Sequence, residues 1–280
     1  MQGNIERPFI EFFHSGDMPW EKNINFLNKS NVEYKVLSKS LCNNEFSLII
    51  KFPINYNFKL DNADYDEEFF VLNGSIEIED TRYYKGCYAF FPSGYLNDNL
   101  IKSDDGAEIL TFITYKGEKS FNYDESRLIK YISLYKDGWD ENYDGINSPE
   151  IASSGSRKKL LRTDLKTGDQ SWIMGVIPSY QESKVESHPV VQECFIINGE
   201  IDGNRGKLIE GSYFWRPKDI LHGPYGSKTG CTIFSRSIGG KLIVDYYDCI
   251  KPFNYNSIHR VDVPNNLINF SQPKSNKIKF

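Results

Sequence analysis

Three separated blocks of this chain repeat at one fixed distance. "DEEFFVLNGSI" (66–76) aligns with "VQECFIINGEI" (191–201), setting Glu68 against Glu193, Phe70 against Phe195 and Asn73-Gly74 against Asn198-Gly199. "GCYAFFPSGYLN" (86–97) aligns with "GSYFWRPKDILH" (211–222), setting Pro92 against Pro217. Upstream, Pro53 aligns with Pro178. Each pair stands 125 residues apart, with no gap between blocks. A shared offset over three blocks reads as a duplication, and it divides the 280 residues into two like units. Each half also opens on a similar segment, "FIEFFHSGDMPW" and "YISLYKDGW", so the expected units are 1–128 and 129–280. "NSPEIASSGSRKK" (147–159) reads as an exposed loop inside the second.

Each unit is expected to be β. Short apolar runs such as "FSLIIKF", "EFFVLNG", "YAFFP" and "EILTFITY" are bounded by Gly, Pro, Asn and Asp. Aromatic residues make up 15% of the chain, which favours strands. Many short strands with frequent turn signals point to a sandwich or small barrel. Asn-Gly in both halves is expected to make a tight turn, since both residues accept positive φ.

Composition narrows the partners. The net charge is −5 and no dense Lys/Arg patch occurs, so nucleic acid is not expected as a partner. No apolar run is long enough for a membrane span, and the first residues lack a signal-peptide pattern. Cys42, Cys87, Cys194, Cys231 and Cys249 are scattered without a CxxC pair, so a reduced, cytoplasmic setting is expected. The expected partners are a small-molecule substrate and a second copy of the chain.

The segment "ESHPVVQECFIING" (186–199) and the block ending in His222 resemble the two motifs of the cupin superfamily. Gly211, Pro217, Asp219 and His222 follow the spacing of its second motif, with Asp219 in a glycine slot. Gly86, Pro92 and Gly94 follow it in the first half, with Asn97 in the histidine slot. The phrasing "HPVV" and "YFWRP…LHGP" is similar to ChrR-like cupins. The resemblance implies a bicupin: all-β, two tandem jelly-roll barrels. It implies a divalent transition metal (Fe, Mn, Ni or Zn) held by Glu186, His188, Gln192 and His222. The matching first-half slots hold Asp61, Ala63, Glu67 and Asn97, so the first barrel is expected to be metal-free. A hard cation on its oxygens is the lesser alternative.

Strand alternation supports part of this transfer, because residues 186, 188, 190 and 192 would share one face. Two imidazoles with a carboxylate suit the ions named. Pro189 leaves a second register open, in which a bulge turns Glu193 inward in place of Gln192. Tyr213, Trp215, Trp172, Met174 and Arg236 are the candidate substrate contacts. His14 and His259 match no slot and are expected at the surface. The expected function is cupin-type metal chemistry on a small oxygenated substrate, either dioxygenase-like C–C cleavage or isomerisation or hydrolysis. A non-catalytic binding or sensing protein and a structural bicupin are the alternatives.

Overall fold

A computed structural model describes residues 7–22, 29–42, 45–60, 63–115, 122–139, 155–249, 253–255 and 258–274. In chain order, the first strands are β1 (Ile10–His14), β2 (Glu21–Lys22), β3 (Glu33–Lys39), β4 (Glu45–Phe52), β5 (Tyr56–Lys59) and β6 (Tyr65–Ile78). They continue as β7 (Thr81–Tyr84), β8 (Cys87–Phe91), β9 (Leu100–Ser103), β10 (Ala107–Tyr115) and β11 (Ile129–Ser133). Next come β12 (Ser156–Thr163), β13 (Gln170–Val176), β14 (Tyr180–Gln181), β15 (Lys184–Ser187) and β16 (Val191–Gly203). The last are β17 (Gly206–Ile209), β18 (Ser212–Arg216), β19 (Gly226–Ser227), β20 (Cys231–Ile238) and β21 (Asp245–Asp248). Among the described residues the helical elements are short 3-10 segments, so the chain is all-β as expected.

In the first unit the main sheet runs β11-β8-β6-β10-β4-β3-β2, and a smaller one joins β5, β9, β6 and β7. In the second the main sheet runs β1-β18-β16-β20-β13-β12, and a smaller one joins β14, β19, β16 and β17. Two facing sheets of antiparallel strands make the jelly roll, with the core between them. The first core holds Tyr34, Leu48, Ile50, Phe69, Val71 and Phe91. The second holds Phe12, Val176, Cys194, Ile196, Phe214 and Ile233. Along β16 the even-numbered residues 192, 194 and 196 therefore face the interior, and 193 and 195 face the other side of the sheet.

The two Asn-Gly pairs do not make hairpin turns. β6 and β16 run straight through them, passing from the main sheet to the smaller one. At this point one extra residue enters the ladder: the register slips between Glu108 and Ile109 opposite β6, and between Ile196 and Asn198 on β16. Gly74 and Gly199 have φ of 69° and 81°. A Cβ on either would collide with the carbonyl oxygen of Gly106 or Gly230. The extra residues are Leu72 and Ile197, just before each pair, and the positive φ of each glycine serves its close passage by the neighbouring strand.

The compact units also differ from the expected boundary at 128/129. Pro19–Gly138 belongs to the first, whereas Pro8–Met18 belongs with Trp139–Phe280. The two similar opening segments account for this. β11 pairs with β8 of the first unit through Ile132↔Tyr88, and β1 pairs with β18 of the second through Phe13↔Tyr213. Each opening strand thus completes the sheet of the half other than the one it introduces in sequence. The expected loop at 147–159 differs at its end, where Lys158 and Lys159 are buried residues of β12. Residues 147–154 lie outside the described residues.

Candidate metal centre

Glu186 lies on β15, His188 follows that strand directly, and His222 lies on the segment after β18. Their backbones are tied together. Glu186 N donates to His222 O at 2.9 Å and His222 N donates to Glu186 O at 3.0 Å, forming a bridge between them. Asp219 N donates to His188 O at 2.7 Å. Asp219, in the glycine slot, adopts φ 64°, a conformation Asp tolerates better than most side chains. The side chains converge: one ligand atom from each of Glu186, His188 and His222 lies within 4.8 Å of the others.

Hydrogen bonding sets the tautomers. His188 Nδ1 lies 2.9 Å from Ile243 O, and His222 Nδ1 lies 2.8 Å from Ile220 O. A carbonyl only accepts, so each Nδ1 carries the hydrogen and each Nε2 presents a lone pair. Both Nε2 atoms are buried without a hydrogen-bond partner. They face Glu186 Oε1, at 3.1 Å from His222 and 3.7 Å from His188. Three acceptors facing one another repel unless a cation or proton lies among them, and a divalent ion fits that need. Burial opposes ionisation of Glu186, and the imidazoles favour it only in states where they carry a proton on Nε2. Burial, then the nearby Arg216, lowers the pKa of His222, which keeps its Nε2 free.

Gln192 differs from the ligand role expected of it. It faces the interior, but its carboxamide oxygen accepts from Arg216 Nη1 at 2.7 Å and is committed there. Residues 186–192 are not one strand: β15 ends at Ser187, the chain bends at Pro189–Val190, and β16 begins at Val191. The alternation that placed 186 and 192 on one face does not run through that bend. The alternative ligand, Glu193, points to the opposite face of the sheet. Its two oxygens accept from Tyr213 Oη at 2.6 Å and Arg236 Nη1 at 2.8 Å.

The candidate substrate contacts divide in the same way. Tyr213, Trp215 and Arg236 share the outer face with Glu193, and Tyr213 packs on Phe13. They are removed from the centre by the sheet itself. Trp172 and Met174 lie on the inner face, packed with Val190 and Leu242. Lys158 Nζ sits 3.7 Å over the Trp172 ring, and burial, then Lys241, pushes its pKa down to about 7. His14 is buried on Ser212 Oγ at 2.9 Å, contrary to the surface position expected of it. His259 is half-buried, with Nε2 at 2.6 Å from Ser271 O.

Several groups around the centre carried no sequence signal. Glu182 accepts from Tyr180 Oη at 2.8 Å and Tyr225 N at 2.9 Å, and burial, then Glu186, pushes its pKa up to about 8. Arg216 stands within the second motif block and Tyr225 three residues beyond it, and neither occupies a motif slot. Glu11 lies 205 residues from the Arg216 it pairs with, and no local pattern could join them.

In the first unit the matching slots are differently occupied. Both oxygens of Glu67 accept from Lys29 Nζ, at 2.7 and 2.6 Å, and that ammonium lies 5.5 Å from the Tyr65 ring centroid. Asn97 Oδ1 accepts from Ala63 N at 2.6 Å. The side-chain oxygens of Glu67 and Asn97, two of those considered for a hard cation, are therefore engaged by protein donors. Asp61 lies outside the described residues.

Comparison with known proteins agrees with this architecture. A family model described as a domain of unknown function, DUF4437, matches residues 140–243. No curated protein matches. A solved structure from Nostoc punctiforme, described as a "putative dioxygenase", superposes with a TM-score of 0.71 at 16% identity, covering 87% of each chain. The Escherichia coli protein Ylba gives 0.56 at 12% identity, covering 87% of this chain and 92% of its own. Bacillus subtilis oxalate decarboxylase gives 0.53 at 13% identity, covering 84% and 78%. At such identities the likeness shows the fold alone, the jelly-roll architecture described above.

Proposed function

We propose that the second unit binds one divalent transition metal through Glu186, His188 and His222, and that the chain is a metal-dependent oxygenase acting on a small oxygenated substrate. One observation carries the reading: two buried imidazoles with hydrogens fixed on Nδ1 turn bare Nε2 atoms toward a carboxylate. Two histidines and one carboxylate form the ligand set of non-haem iron oxygenases, which leaves positions open for a chelating substrate and O₂. The metal, when bound, would supply Lewis acidity and redox capacity. The chain's own residues do the rest. The backbone bridge between residues 186 and 222 fixes the ligand geometry. Trp172, Met174 and Val190 pack with Leu242 as an apolar cluster on the inner face of the same unit. The Glu186 side chain, 18% exposed, leaves the centre reachable from solvent. The dioxygenase-like description of a structural neighbour supports the oxidative reading over isomerisation or hydrolysis. We also read the two units as products of one duplication, supported by the recurrence of Tyr88–Glu68 as Tyr213–Glu193, both Oη···Oε1 hydrogen bonds.

Elemental analysis of the full chain tests the metal. About one transition-metal ion per chain is expected, and none in a folded His188→Ala/His222→Ala variant. Oxygen uptake with β-diketones and α-hydroxyketones then tests the reaction. A metal-loaded protein that turns these substrates over without consuming O₂ is an isomerase or hydrolase. One that binds metal and turns over none of them matches the sensing alternative.

A further inference from the structure

Arg216 is the largest fully buried side chain among the described residues, 1% exposed, on the inner wall of the second unit. Its guanidinium is held by four hydrogen bonds. Nε and Nη2 donate to the two oxygens of Glu11 at 3.3 and 2.9 Å, Nη1 donates to Gln192, and Nη2 donates to Tyr225 Oη at 3.0 Å. The Tyr225 ring centroid lies 6.0 Å from that of His222, so only the Tyr225 side chain stands between the guanidinium and the cluster. A fixed positive charge therefore stands beside a centre built to attract a cation. In a buried setting such charges interact strongly and are little screened by salt. Glu11 is the carboxylate that opposes it, and it comes from β1, far from the rest of the site in sequence.

We propose that Glu11 is a positioning residue for the metal centre: by neutralising Arg216 it lets the Glu186/His188/His222 cluster accept a dication. The inference rests on the metal-binding reading above. Arg216 in turn fixes Gln192 and Tyr225 on the wall, which accounts for retaining a guanidinium at that place. The N-terminal strand thus contributes charge to the centre as well as an edge to the sheet.

The test is a set of dissociation constants for Mn(II) and Zn(II), measured on the full chain by chelator competition, with folding checked by circular dichroism. Glu11→Gln keeps the shape and removes the charge, and is expected to weaken binding by about tenfold or more. Glu11→Gln/Arg216→Met removes both charges and is expected to return to within about threefold of wild type. Arg216→Met alone leaves an extra carboxylate and is expected to bind more tightly than the double variant. A purely structural pair would weaken binding in both single variants alike, and that result overturns the proposal. So does a Glu11→Gln protein that binds like wild type, or a double variant no better than Glu11→Gln. If Glu11→Gln does not fold, Arg216→Met must still bind more tightly than the double variant, and equality overturns the inference. Wild-type chain that takes up neither metal defeats the metal-centre reading and this inference with it. Wild-type chain that loads while Glu11→Gln is unaltered defeats this inference alone.

Discussion

The imidazoles of His188 and His222 turn their Nε2 atoms toward Glu186 because a backbone carbonyl holds the far side of each ring. Metal and proton compete for the same Nε2 lone pair. Burial and Arg216 hold the pKa of His222 below its ordinary 6.5, so the proton competes only at lower pH. Bound metal is expected to persist at pH 6.5 and above and to leave as the pH falls below that, checked by metal content after dialysis across the range. Lys158 gives a second prediction. Its folded pKa is about 7 against an ordinary 10.5, so between these values the unfolded chain holds a proton the folded chain has lost. Stability contributed by this group therefore rises with pH over that window, by at most about 1.4 kcal/mol per pH unit. Lys158→Met should raise stability at pH 7, with a gain that shrinks toward pH 10, as read by denaturant titrations at both. Motif spacing singled out His188 and His222 in the sequence, and the fold brings their ring centroids to within 4.9 Å of each other. Gln192 was legible as an interior residue and not as an Arg216 partner, because that pairing depends on where β18 lies. Tyr213 and Arg236 looked available in sequence and are spent on Glu193, a cross-strand triangle that only the register makes visible.

At the scale of single elements, β6 and β16 decide the shape of each unit. Each is one long strand serving two sheets, and the glycine of its Asn-Gly pair makes the change possible. Gly199→Ala would place a methyl group on the Gly230 carbonyl at φ 81°. The expected cost is roughly 2–4 kcal/mol, read as a lower denaturation midpoint. Gly16→Ala, whose added Cβ would meet nothing within 4 Å, serves as the control and should shift it little. The run of strands was readable from apolar alternation and turn residues. The function of Asn-Gly was not, because a hairpin turn and a strand passing close to another backbone ask the same positive φ of glycine. The bend at Pro189 was flagged by residue type, yet its outcome, a strand break with Gln192 still inward, depends on β15 pairing with β21 through Glu186↔Tyr246.

For the whole molecule, the repeat offset located two units but not the ownership of their edge strands. β1 is buried along its full length, with Ile10, Phe12 and Phe13 each at most 1% exposed. Burying each contributes roughly 1.5–3 kcal/mol as an upper estimate, and Arg216 loses its counter-ion when β1 is absent. A fragment of residues 139–280 is therefore expected to remain unfolded alone and to fold when a peptide of residues 8–18 is added. Residues 19–138 should fold by themselves. Circular dichroism and two-dimensional NMR of the separate pieces check both. The segments "FIEFF" and "YISLY" looked alike in the sequence, and they form edge strands beside β18 and β8. Their destinations could not be read, because strand partnership at this range leaves no local mark.

That long reach also bears on how the protein is made. His14 and the Ser212 it bonds lie 198 residues apart. At about 5–20 residues per second, β1 leaves the ribosome some 10–40 seconds before its partner strand exists. An apolar segment waits unpaired through that interval while the first jelly roll can already close around β11. Anything that shields a short greasy strand in a nascent chain would then govern how much of this protein reaches its finished form.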